Sequence, residues 1–253
     1  MTPTQSSPME WSDTGIVISS RPHGETSAIL ETFTRLHGRH LGLVRGGASR
    51  RRRSELQPGN TLQVHWRARL SEHLGNFSAE PLRTRAGELL DGRDALLGLN
   101  AFTSVASATL PEREEHAGLF DATEIMLDAV MSEPFEHWAP LYVRWEAGLL
   151  EALGFGLDLS HCAATGARDD LVFVSPRSGR AVSAGAGKPY EGRLFHLPQF
   201  LLGSQNADVG PKDVADGLKL TGYFLLERVL RPHNRDTPSA RLRLDERAAH
   251  ESK

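Results

Sequence analysis

Cysteine is almost absent from this chain of 253 residues, which contains only Cys162. A single thiol excludes an intramolecular disulfide and indicates a reducing compartment, of which the cytoplasm is the simplest. The neighbouring His161 adds one further soft ligand, and two ligands do not complete a tetrahedral structural zinc site. We therefore expect neither a disulfide nor a bound metal.

Long apolar runs are missing as well. No stretch approaches the 18 or more consecutive apolar residues of a transmembrane helix, so no membrane span is predicted. Residues 1–8 are small or polar and lack the charged and apolar regions of a secretory signal peptide. We expect residues 1–9 to form a disordered extension, with Met1 and Met9 as alternative translation starts.

The sequence motifs of common enzymes are absent too. Gly187-Lys188 is followed by proline, and Val182 stands where a phosphate-binding P-loop has its first glycine. Neither Gly-x-Ser-x-Gly nor His-Glu-x-x-His occurs, and no two of the eleven histidines are four residues apart. The sequence therefore predicts a protein that is not an enzyme, with no catalytic residue and no cofactor. A nucleophilic Cys162 is the alternative, although a lone loop cysteine is more often structural.

What the chain does have is a concentrated block of basic residues. No acidic residue occurs between Arg35 and Ser54. The same stretch contains Arg35, Arg39, Arg45, Arg50, Arg51, Arg52 and Arg53. Residues 10–85 carry a net charge of +5, whereas residues 86–253 carry −8. This polarity favours a polyanion at one end, most commonly nucleic acid; a disordered loop and a basic localisation signal are the alternatives.

The N-terminal third alternates apolar and polar residues with the period of β-strands. Five strands are predicted between turns rich in glycine and proline, with no helix of any length among them. They cover Gly15–Ile18, Ser27–Arg35, His40–Arg45, Thr61–Leu70 and Leu74–Leu82, and the arginine run falls in a loop. So many strands in so short a segment indicate a small barrel of the OB-fold over residues 10–85.

After Arg85 the apolar residues take helical spacing. Helices are predicted at 86–109, 119–131, 138–153, 197–202 and 211–230, with a last short helix from Pro238, capped by Thr237, and a frayed end. Residues 154–193 are rich in glycine and predict an irregular insert with two short strands, 171–174 and 180–183. The predicted fold class is α+β multidomain: an OB-fold barrel, then a helical domain over 86–253.

The predicted barrel offers many arginines for phosphate but few aromatic rings for base stacking. Arginine binds phosphate through a planar fork, whereas tight or sequence-reading OB-folds also stack bases on aromatic rings. Phe33, Trp66 and Phe77 are available, and Phe33 and Trp66 are equally consistent with core positions. We therefore expect phosphate contacts to dominate, which gives sequence-independent and salt-sensitive binding.

Several short motifs occur together in a fixed order. They are Trp11-Ser12-Asp13-x-Gly15-Ile16-Val17, Arg21-Pro22-His23-Gly24-Glu25-Thr26-Ser27, Thr34-Arg35-x-His37-Gly38-Arg39, Gly42-Leu43-Val44-Arg45-Gly46-Gly47, Leu56-Gln57-Pro58-Gly59 and Leu149-Leu150-x-x-Leu153-Gly154-Phe155-Gly156-Leu157-Asp158-Leu159-Ser160-x-Cys162. In their order, spacing and coverage, from about residue 10 to 245, they resemble the RecO family of DNA repair proteins.

This resemblance implies an N-terminal OB-fold, a helical C-terminal domain and a small zinc-binding or zinc-like insert. It also implies a recombination mediator of the RecF pathway that binds single- and double-stranded DNA. Such a mediator anneals complementary strands coated by single-stranded DNA-binding protein and, with RecR, helps to load RecA. The implied location is the cytoplasm, at the nucleoid.

The resemblance further implies a site for the acidic C-terminal tail of the single-stranded DNA-binding protein. In related members an arginine of the helix predicted at 138–153 helps to hold this tail. It corresponds here to Arg144, and Leu119 and Phe120 are expected on the apolar side of the groove. The alternative for Arg144 is a surface ion pair with Glu136 or Glu151.

One departure from the family concerns zinc. Zinc-binding members carry two Cys-x-x-Cys pairs in the insert, whereas here the first pair would be Cys162 with Thr165 and residues 174–190 contain no cysteine. We expect an insert without zinc that is held together by packing.

Three alternatives stay open at this point. A general OB-fold RNA-binding or translation-associated module would carry the same charge pattern, and an enzyme using Cys162 is a third function class. Within the mediator interpretation, Lys219, Arg228 and Arg231 could add DNA contacts from the helical domain.

Overall fold

The computed structural model describes residues 9–85, 92–203 and 209–252. They form two compact units. The first comprises the described residues up to Arg93 together with Leu110–Asp121, and the second comprises Asp94–Thr109 and the described residues from Ala122 onward. The predicted domain boundary near residue 85 left Leu110–Asp121 in the helical domain, whereas this segment belongs to the first unit. Residues 1–8 of the predicted extension lie outside the described residues, whereas Met9 already belongs to a strand.

The first unit is built on five strands. They are β1 (Met9–His23), β2 (Ser27–Thr34), β3 (Gly38–Val44), β4 (Thr61–Ala68) and β5 (Asn76–Arg83). They close into a barrel in the order β1-β2-β3-β5-β4, in which only the β3–β5 pair is parallel. The prediction of a five-stranded OB-like fold is confirmed.

β1 is much longer than predicted. The turn expected at Arg21-Pro22 is part of the strand, because β1 pairs with two neighbours in succession. Met9–Ile16 pair with β4, and Gly15–His23 pair with β2. The second half of β1 has β2 as its only partner in the sheet, and proline is tolerated in such an edge.

The barrel interior is packed around aromatic rings. Trp66 and Phe77 are buried, and their ring centroids lie 4.9 and 6.0 Å from that of the buried His40 imidazole. A Cβ on Gly42 would lie 2.4 Å from the Phe77 ring, and a Cβ on Gly75, whose φ is 67°, would lie 2.4 Å from Trp66. Both aromatic rings therefore pack directly against glycine backbone.

The arginine run forms a short helix rather than the predicted loop. α1 spans Arg50–Glu55 between β3 and β4. The Ser49 hydroxyl caps it by accepting a hydrogen bond from the backbone N–H of Arg52 at 3.4 Å. Glu55 pairs with Arg51 and Arg52 at i,i+4 and i,i+3 spacing. The expectation of a barrel without helices is therefore wrong, because a cap and local ion pairs stabilise a helix that has no apolar period.

Helices dominate the rest of the described chain. They are α2 (Arg93–Thr109), α3 (Ala117–Ser132), α4 (Phe135–Ala152), α5 (Ala184–Gly187), α6 (Pro211–Phe224) and α7 (Ser239–Glu251). α6 continues as a π-helical stretch over Leu225–Leu230, and Gln199–Leu202 form a 3-10 helix. The predicted helical region is confirmed with shifted ends; residues 86–91, expected in the first helix, lie outside the described residues.

α7 differs from its prediction at both ends. Its N-cap residue is Pro238 rather than Thr237, and no side chain caps it. The expected fraying is wrong, because the helix continues to Glu251 with one apolar face buried. That face consists of Ala240, Leu244 and Ala248.

The insert contains a small sheet of three strands. β6 (Leu171–Val174) lies between β7 (Ala181–Ser183) and β8 (Phe195–His196), so the sheet reaches beyond residue 193. The buried Cys162 thiol accepts hydrogen bonds from the N–H and hydroxyl of Ser183, the last residue of β7, at 3.3 and 3.4 Å. Burial raises the pKa of Cys162, but the bonds from Ser183, Thr165 and Ala164 outweigh burial and lower it to about 6. Hydrogen bonds as well as packing therefore hold the insert.

A buried ion pair joins three helices of the second unit. Arg241 of α7 donates to both carboxylate oxygens of Glu146 on α4, at 2.5 and 2.9 Å, and both side chains are at most 1% exposed. The Thr221 hydroxyl of α6 donates to the same carboxylate. Arg241 also donates to the Leu218 carbonyl at 2.8 Å. Since each charge has its partners, their burial is tolerated.

Within the described ranges, no helix is both long and apolar enough to cross a membrane. Among the same residues no three His, Cys, Asp or Glu side chains are grouped so that they could hold a metal ion.

The first prediction concerns His40. Burial lowers its pKa to about 4, which outweighs the opposing effect of its hydrogen bond to the Leu41 carbonyl. Between about pH 6.5 and 4 the unfolded chain binds a proton at this site that the folded barrel does not. The free energy of unfolding should therefore fall as the pH is lowered through this window, by up to about 1.4 kcal/mol per pH unit.

Urea unfolding at several pH values across this window measures the effect. His40→Leu should flatten the dependence, since the titrating group is gone. An equal pH dependence in the native protein and the variant would contradict the prediction.

The second prediction concerns the buried ion pair. Arg241→Met should lower the free energy of unfolding by about 3–5 kcal/mol, because it leaves the Glu146 carboxylate buried without its cation. Arg243→Met is the matched control on the exposed face of α7, and should change stability by less than about 0.5 kcal/mol. Denaturant unfolding of the native protein and both variants measures these changes. Similar losses of stability in Arg241→Met and Arg243→Met would refute the assignment.

Candidate nucleic-acid interface

The seven arginines of the basic block differ in what their side chains do. Arg35 follows β2, Arg39 lies on β3, Arg45 follows β3 and the remaining four lie on α1. Some form bonds within the unit and others extend into solvent. This difference decides which of them a phosphate can reach.

Arg39 is committed to the fold. Its Nη1 donates to the buried Glu31 carboxylate at 2.7 Å, and its Nε donates to the Leu110 carbonyl at 2.7 Å. Its Nη2 lies 3.4 Å from a Glu112 oxygen, and the side chain is 16% exposed. We therefore leave Arg39 out of the interface that we propose.

Arg35 forms a bidentate ion pair on the surface. Its Nε and Nη2 each donate to an oxygen of Asp121 at 2.9 Å, and the two side chains are 45% and 52% exposed. The bonds from Arg35 lower the pKa of Asp121 below its ordinary value, against a small opposing effect of burial. In the free protein Arg35 is therefore occupied by a carboxylate.

Within α1, two arginines anchor the helix. Arg52 donates to the Ala79 carbonyl of β5 at 2.9 Å and to Glu55 at 2.8 Å. Arg51 is 90% exposed and pairs with the same carboxylate at 3.1 Å. The pKa of Glu55 is lowered first by the bond from Arg52 and then by that from Arg51. The carboxylate thus neutralises part of the charge of the run.

Three arginines of the block extend into solvent. Arg45, Arg50 and Arg53 are exposed, and their guanidinium groups form no hydrogen bond or ion pair among the described residues. Since no carboxylate competes for them there, they are the members of the block that are most available to phosphate.

The register of the barrel adds Arg21, which the sequence argument missed. Arg21 of β1 pairs with Ile29 of β2, which pairs with Leu43 of β3, so their side chains share the outer face. Arg45 lies two residues beyond Leu43, in the turn that directly follows β3, and adjacent strands are about 4.8 Å apart. No alternation in the sequence marks this end of β1, where Ser20–His23 are all exposed, and the predicted turn includes Arg21.

The turn between β1 and β2 also lies beside the start of α1. The N–H of Ala48 donates to the Thr26 carbonyl at 3.0 Å, just before Arg50. The outer face around Ile29 and Leu43 and the first turn of α1 are therefore neighbours. We call Arg21, Arg45, Arg50 and Arg53 the open arginines.

The other half of the same β2–β3 face is covered by the chain itself. We call the segment Leu110–Asp121 the acidic strap, since it contains four carboxylates and one arginine. Its Phe120 ring packs at 5.7 Å against Phe33, which is fully buried on the outer face of β2. The N–H of Arg113 donates to the Arg39 carbonyl at 2.9 Å, as an added strand would.

At its other edge the strap reaches the connection between β4 and β5. The Arg113 guanidinium donates to the carbonyls of Ser71 and His73. OB-folds use the face of strands 2 and 3, with this loop, to bind oligonucleotides. Of this face, the described residues therefore leave uncovered the half around Arg21 and Arg45.

No aromatic platform lies on the barrel. Phe33, Trp66 and Phe77 are buried, which favours the core alternative for Phe33 and Trp66 and also removes Phe77 as a platform. Trp11 is stacked between the His37 ring at 4.1 Å and the Trp66 ring at 5.7 Å. These four are the only Phe, Tyr or Trp residues in 9–85. The geometry therefore favours phosphate contacts over base stacking.

Known proteins identify the family. The model described as Recombination protein O N terminal matches residues 9–85, and that described as Recombination protein O C terminal matches residues 91–237. A protein of Rhodospirillum rubrum is 50% identical over 243 residues, which cover 94% of this chain and 96% of its own. The chain belongs to the RecO family.

Two further relatives show the same relationship. A protein of Cereibacter sphaeroides is 52% identical over 240 residues, covering 94% of this chain and 98% of its own. One of Methylorubrum populi is 51% identical over 240 residues, covering 93% and 96%. All three are named DNA repair protein RecO, and the family places this chain in DNA repair and recombination.

The residues that the RecO resemblance assigned to a partner peptide lie in different surroundings. Arg144 of α4 is exposed, and its Nε and Nη2 donate to the Phe200 carbonyl at 3.2 and 2.9 Å. The ion pair considered with Glu136 or Glu151 is not formed. Leu119 and Phe120 are 7% and 3% exposed within the first unit. Their burial favours a core role, and we do not include them in a peptide site.

Two of the three basic residues considered on the helical region contact other groups of that region. Arg228 donates to the Arg177 carbonyl at 3.3 Å and lies 4.8 Å from the Phe224 ring. Arg231 pairs with Glu227. Lys219 is exposed on α6. These three residues do not form a cluster of open cations comparable to that on the barrel.

The third prediction tests the open arginines. Changing Arg45, Arg50 and Arg53 together to Ala should weaken binding to single-stranded DNA. The slope of log K against log salt should become shallower by about 2, because each phosphate contact with a single strand contributes roughly 0.7. Fluorescence anisotropy with a labelled oligonucleotide over a salt series measures this slope.

The matched control removes three exposed cations of the second unit, Arg168, Lys188 and Arg243. It changes the net charge equally and should leave the slope nearly unchanged. A similar loss of slope in both variants would show that net charge, and not the outer face of the barrel, governs binding.

Proposed function

We propose that this protein is a recombination mediator in DNA repair. It binds single- and double-stranded DNA without sequence specificity and anneals complementary strands that are coated by single-stranded DNA-binding protein. With RecR it helps to load RecA at gaps. The observation that carries this proposal is the group of open arginines on an OB-fold barrel whose chain belongs to the RecO family.

Annealing follows from charge rather than from covalent catalysis. Two complementary strands repel each other through their phosphates, and a cationic surface lowers this repulsion and concentrates both strands. Arginine forks on phosphate do not read bases, so either strand can bind and base pairing itself selects the partner. The proposed protein is therefore not an enzyme and needs no cofactor.

A separate contact would bring the mediator to coated DNA. Arg144 uses two of its five N–H groups on the Phe200 carbonyl, which holds the guanidinium in place and leaves the others for a carboxylate. The acidic C-terminal tail of the single-stranded DNA-binding protein supplies carboxylates. We propose Arg144 as the residue that holds this tail, and the cytoplasm, at the nucleoid, as the location.

The fourth prediction separates DNA handling from recruitment. The native protein should accelerate annealing of complementary oligonucleotides, both naked and precoated with the cognate single-stranded DNA-binding protein. Changing Arg45, Arg50 and Arg53 to Ala should abolish acceleration on both substrates. Arg144→Ala should abolish it on coated strands alone, because only they present the tail. Annealing is followed by fluorescence quenching between end labels.

The outcomes distinguish the function classes. A native protein that accelerates neither reaction sinks the mediator proposal and favours the OB-fold RNA-binding module. If acceleration survives the loss of the three arginines, the DNA site lies elsewhere. Cys162→Ser should leave annealing unchanged, whereas an enzyme using this thiol would lose its activity.

A further inference from the structure

Two arginines of the basic block are occupied by carboxylates of the acidic strap. Glu112 lies 3.4 Å from Arg39, and Asp121 holds Arg35 through two bonds of 2.9 Å. No carboxylate lies between residues 35 and 54. Glu112 and Asp121 lie more than seventy positions further along the chain than the arginines they contact. The strap thus places negative charge where the sequence alone indicates a free cationic surface.

The two contacts differ in how firmly they are made. Arg39 is held by Glu31 and the Leu110 carbonyl as well as by Glu112, and it is mostly buried. The pair of Arg35 and Asp121 stands half exposed, and no other hydrogen bond to either side chain is formed among the described residues. An exposed pair competes with water and is screened by salt, although its bidentate geometry makes it firmer than a pair with a single bond. It can therefore open while the rest of the strap stays in place.

The geometry of this exposed pair is also that of a nucleic-acid contact. A guanidinium binds the two oxygens of a phosphate with the same parallel fork that it uses on a carboxylate. Arg35 directly follows β2, six residues beyond Ile29 and at the opposite end of that strand, or about 20 Å away at the rise of a strand. An extended single strand of several nucleotides on the uncovered half would be long enough to reach it. In the free protein Asp121 holds the position that a phosphate oxygen pair would take.

We propose that Asp121 is an internal competitor of single-stranded DNA for Arg35. The inference rests on the proposed DNA-binding function and adds its regulation. In the free protein the strap limits the cationic surface to the open arginines. A strand bound there displaces Asp121 with one of its phosphates, and Arg35 then becomes a further contact. The competition keeps binding weak enough for strands to be exchanged.

Removing the competing charge should therefore strengthen binding. Asp121→Asn should tighten the complex with a single-stranded oligonucleotide by roughly three- to tenfold at about 50 mM salt, because the strand no longer has to displace a carboxylate from Arg35. Arg35→Ala in the Asp121→Asn background should reverse this gain. The matched control is Glu80→Gln, which removes one exposed carboxylate of β5 and alters net charge equally.

The measurement is anisotropy over a salt series with the full chain, and thermal unfolding verifies that each variant is folded. A gain in Asp121→Asn that exceeds the gain in Glu80→Gln and disappears with Arg35→Ala supports the proposal. Equal gains in both variants, or a gain that persists without Arg35, would overturn it. Should Asp121→Asn lower the melting temperature, Arg35→Ala alone decides: competition predicts weaker binding, because a contact of the bound state is lost, whereas a purely structural pair predicts lower stability with unchanged affinity.

Failure of this inference is distinct from failure of the proposed function. A native protein that binds and anneals DNA while Asp121→Asn behaves like Glu80→Gln refutes only the competition. A native protein that does not bind DNA refutes the function itself.

Discussion

The closure of the barrel through β1 is the constraint on which the rest of the first unit depends. One strand of fifteen residues pairs with β4 over its first half and with β2 over its second, so it fixes the register of both neighbours. That register sends Leu30 and Val44 inward and leaves Ile29 and Leu43 outward. A slip of one residue would exchange core and surface, and with them the side on which the arginines stand.

The same arginine chemistry serves two purposes on this barrel. A guanidinium satisfies a buried carboxylate as well as it satisfies a phosphate, and Arg39 is used in the first way. Arg45 and Arg50, which no carboxylate reaches in the described chain, are available for the second. Counting charges along a sequence therefore overestimates a cationic surface. The cationic surface consists of the arginines that remain after the others have paired with carboxylates and carbonyls of the fold.

How far the sequence could predict the structure depended on the range of the interactions involved. The alternation in Thr61–Ala68 and the apolar spacing in Phe135–Ala152 are local, and both elements were predicted in type and approximate position. The pairing of Arg35 with Asp121 spans 86 positions and leaves no local signal. Nor could the sequence show that Leu110–Asp121 joins the barrel's unit. At α1 the local signals of a helix, Ser49 and Glu55, were present in the sequence. The run of arginines has no apolar period, and a loop was therefore predicted.

α1 itself has a mechanical consequence. None of its six residues is buried, and the apolar residue that anchors its end, Leu56, lies just beyond it. Its attachment to the barrel thus depends chiefly on hydrogen bonds, from Arg52 to the Ala79 carbonyl and from the Asn60 amide to the carbonyls of Ser54 and Glu55. Bonds of this kind tolerate small rotations that a packed core forbids. Under the proposed function, this means that the cations of α1 are free to adjust to the different phosphate spacings of one strand and of two.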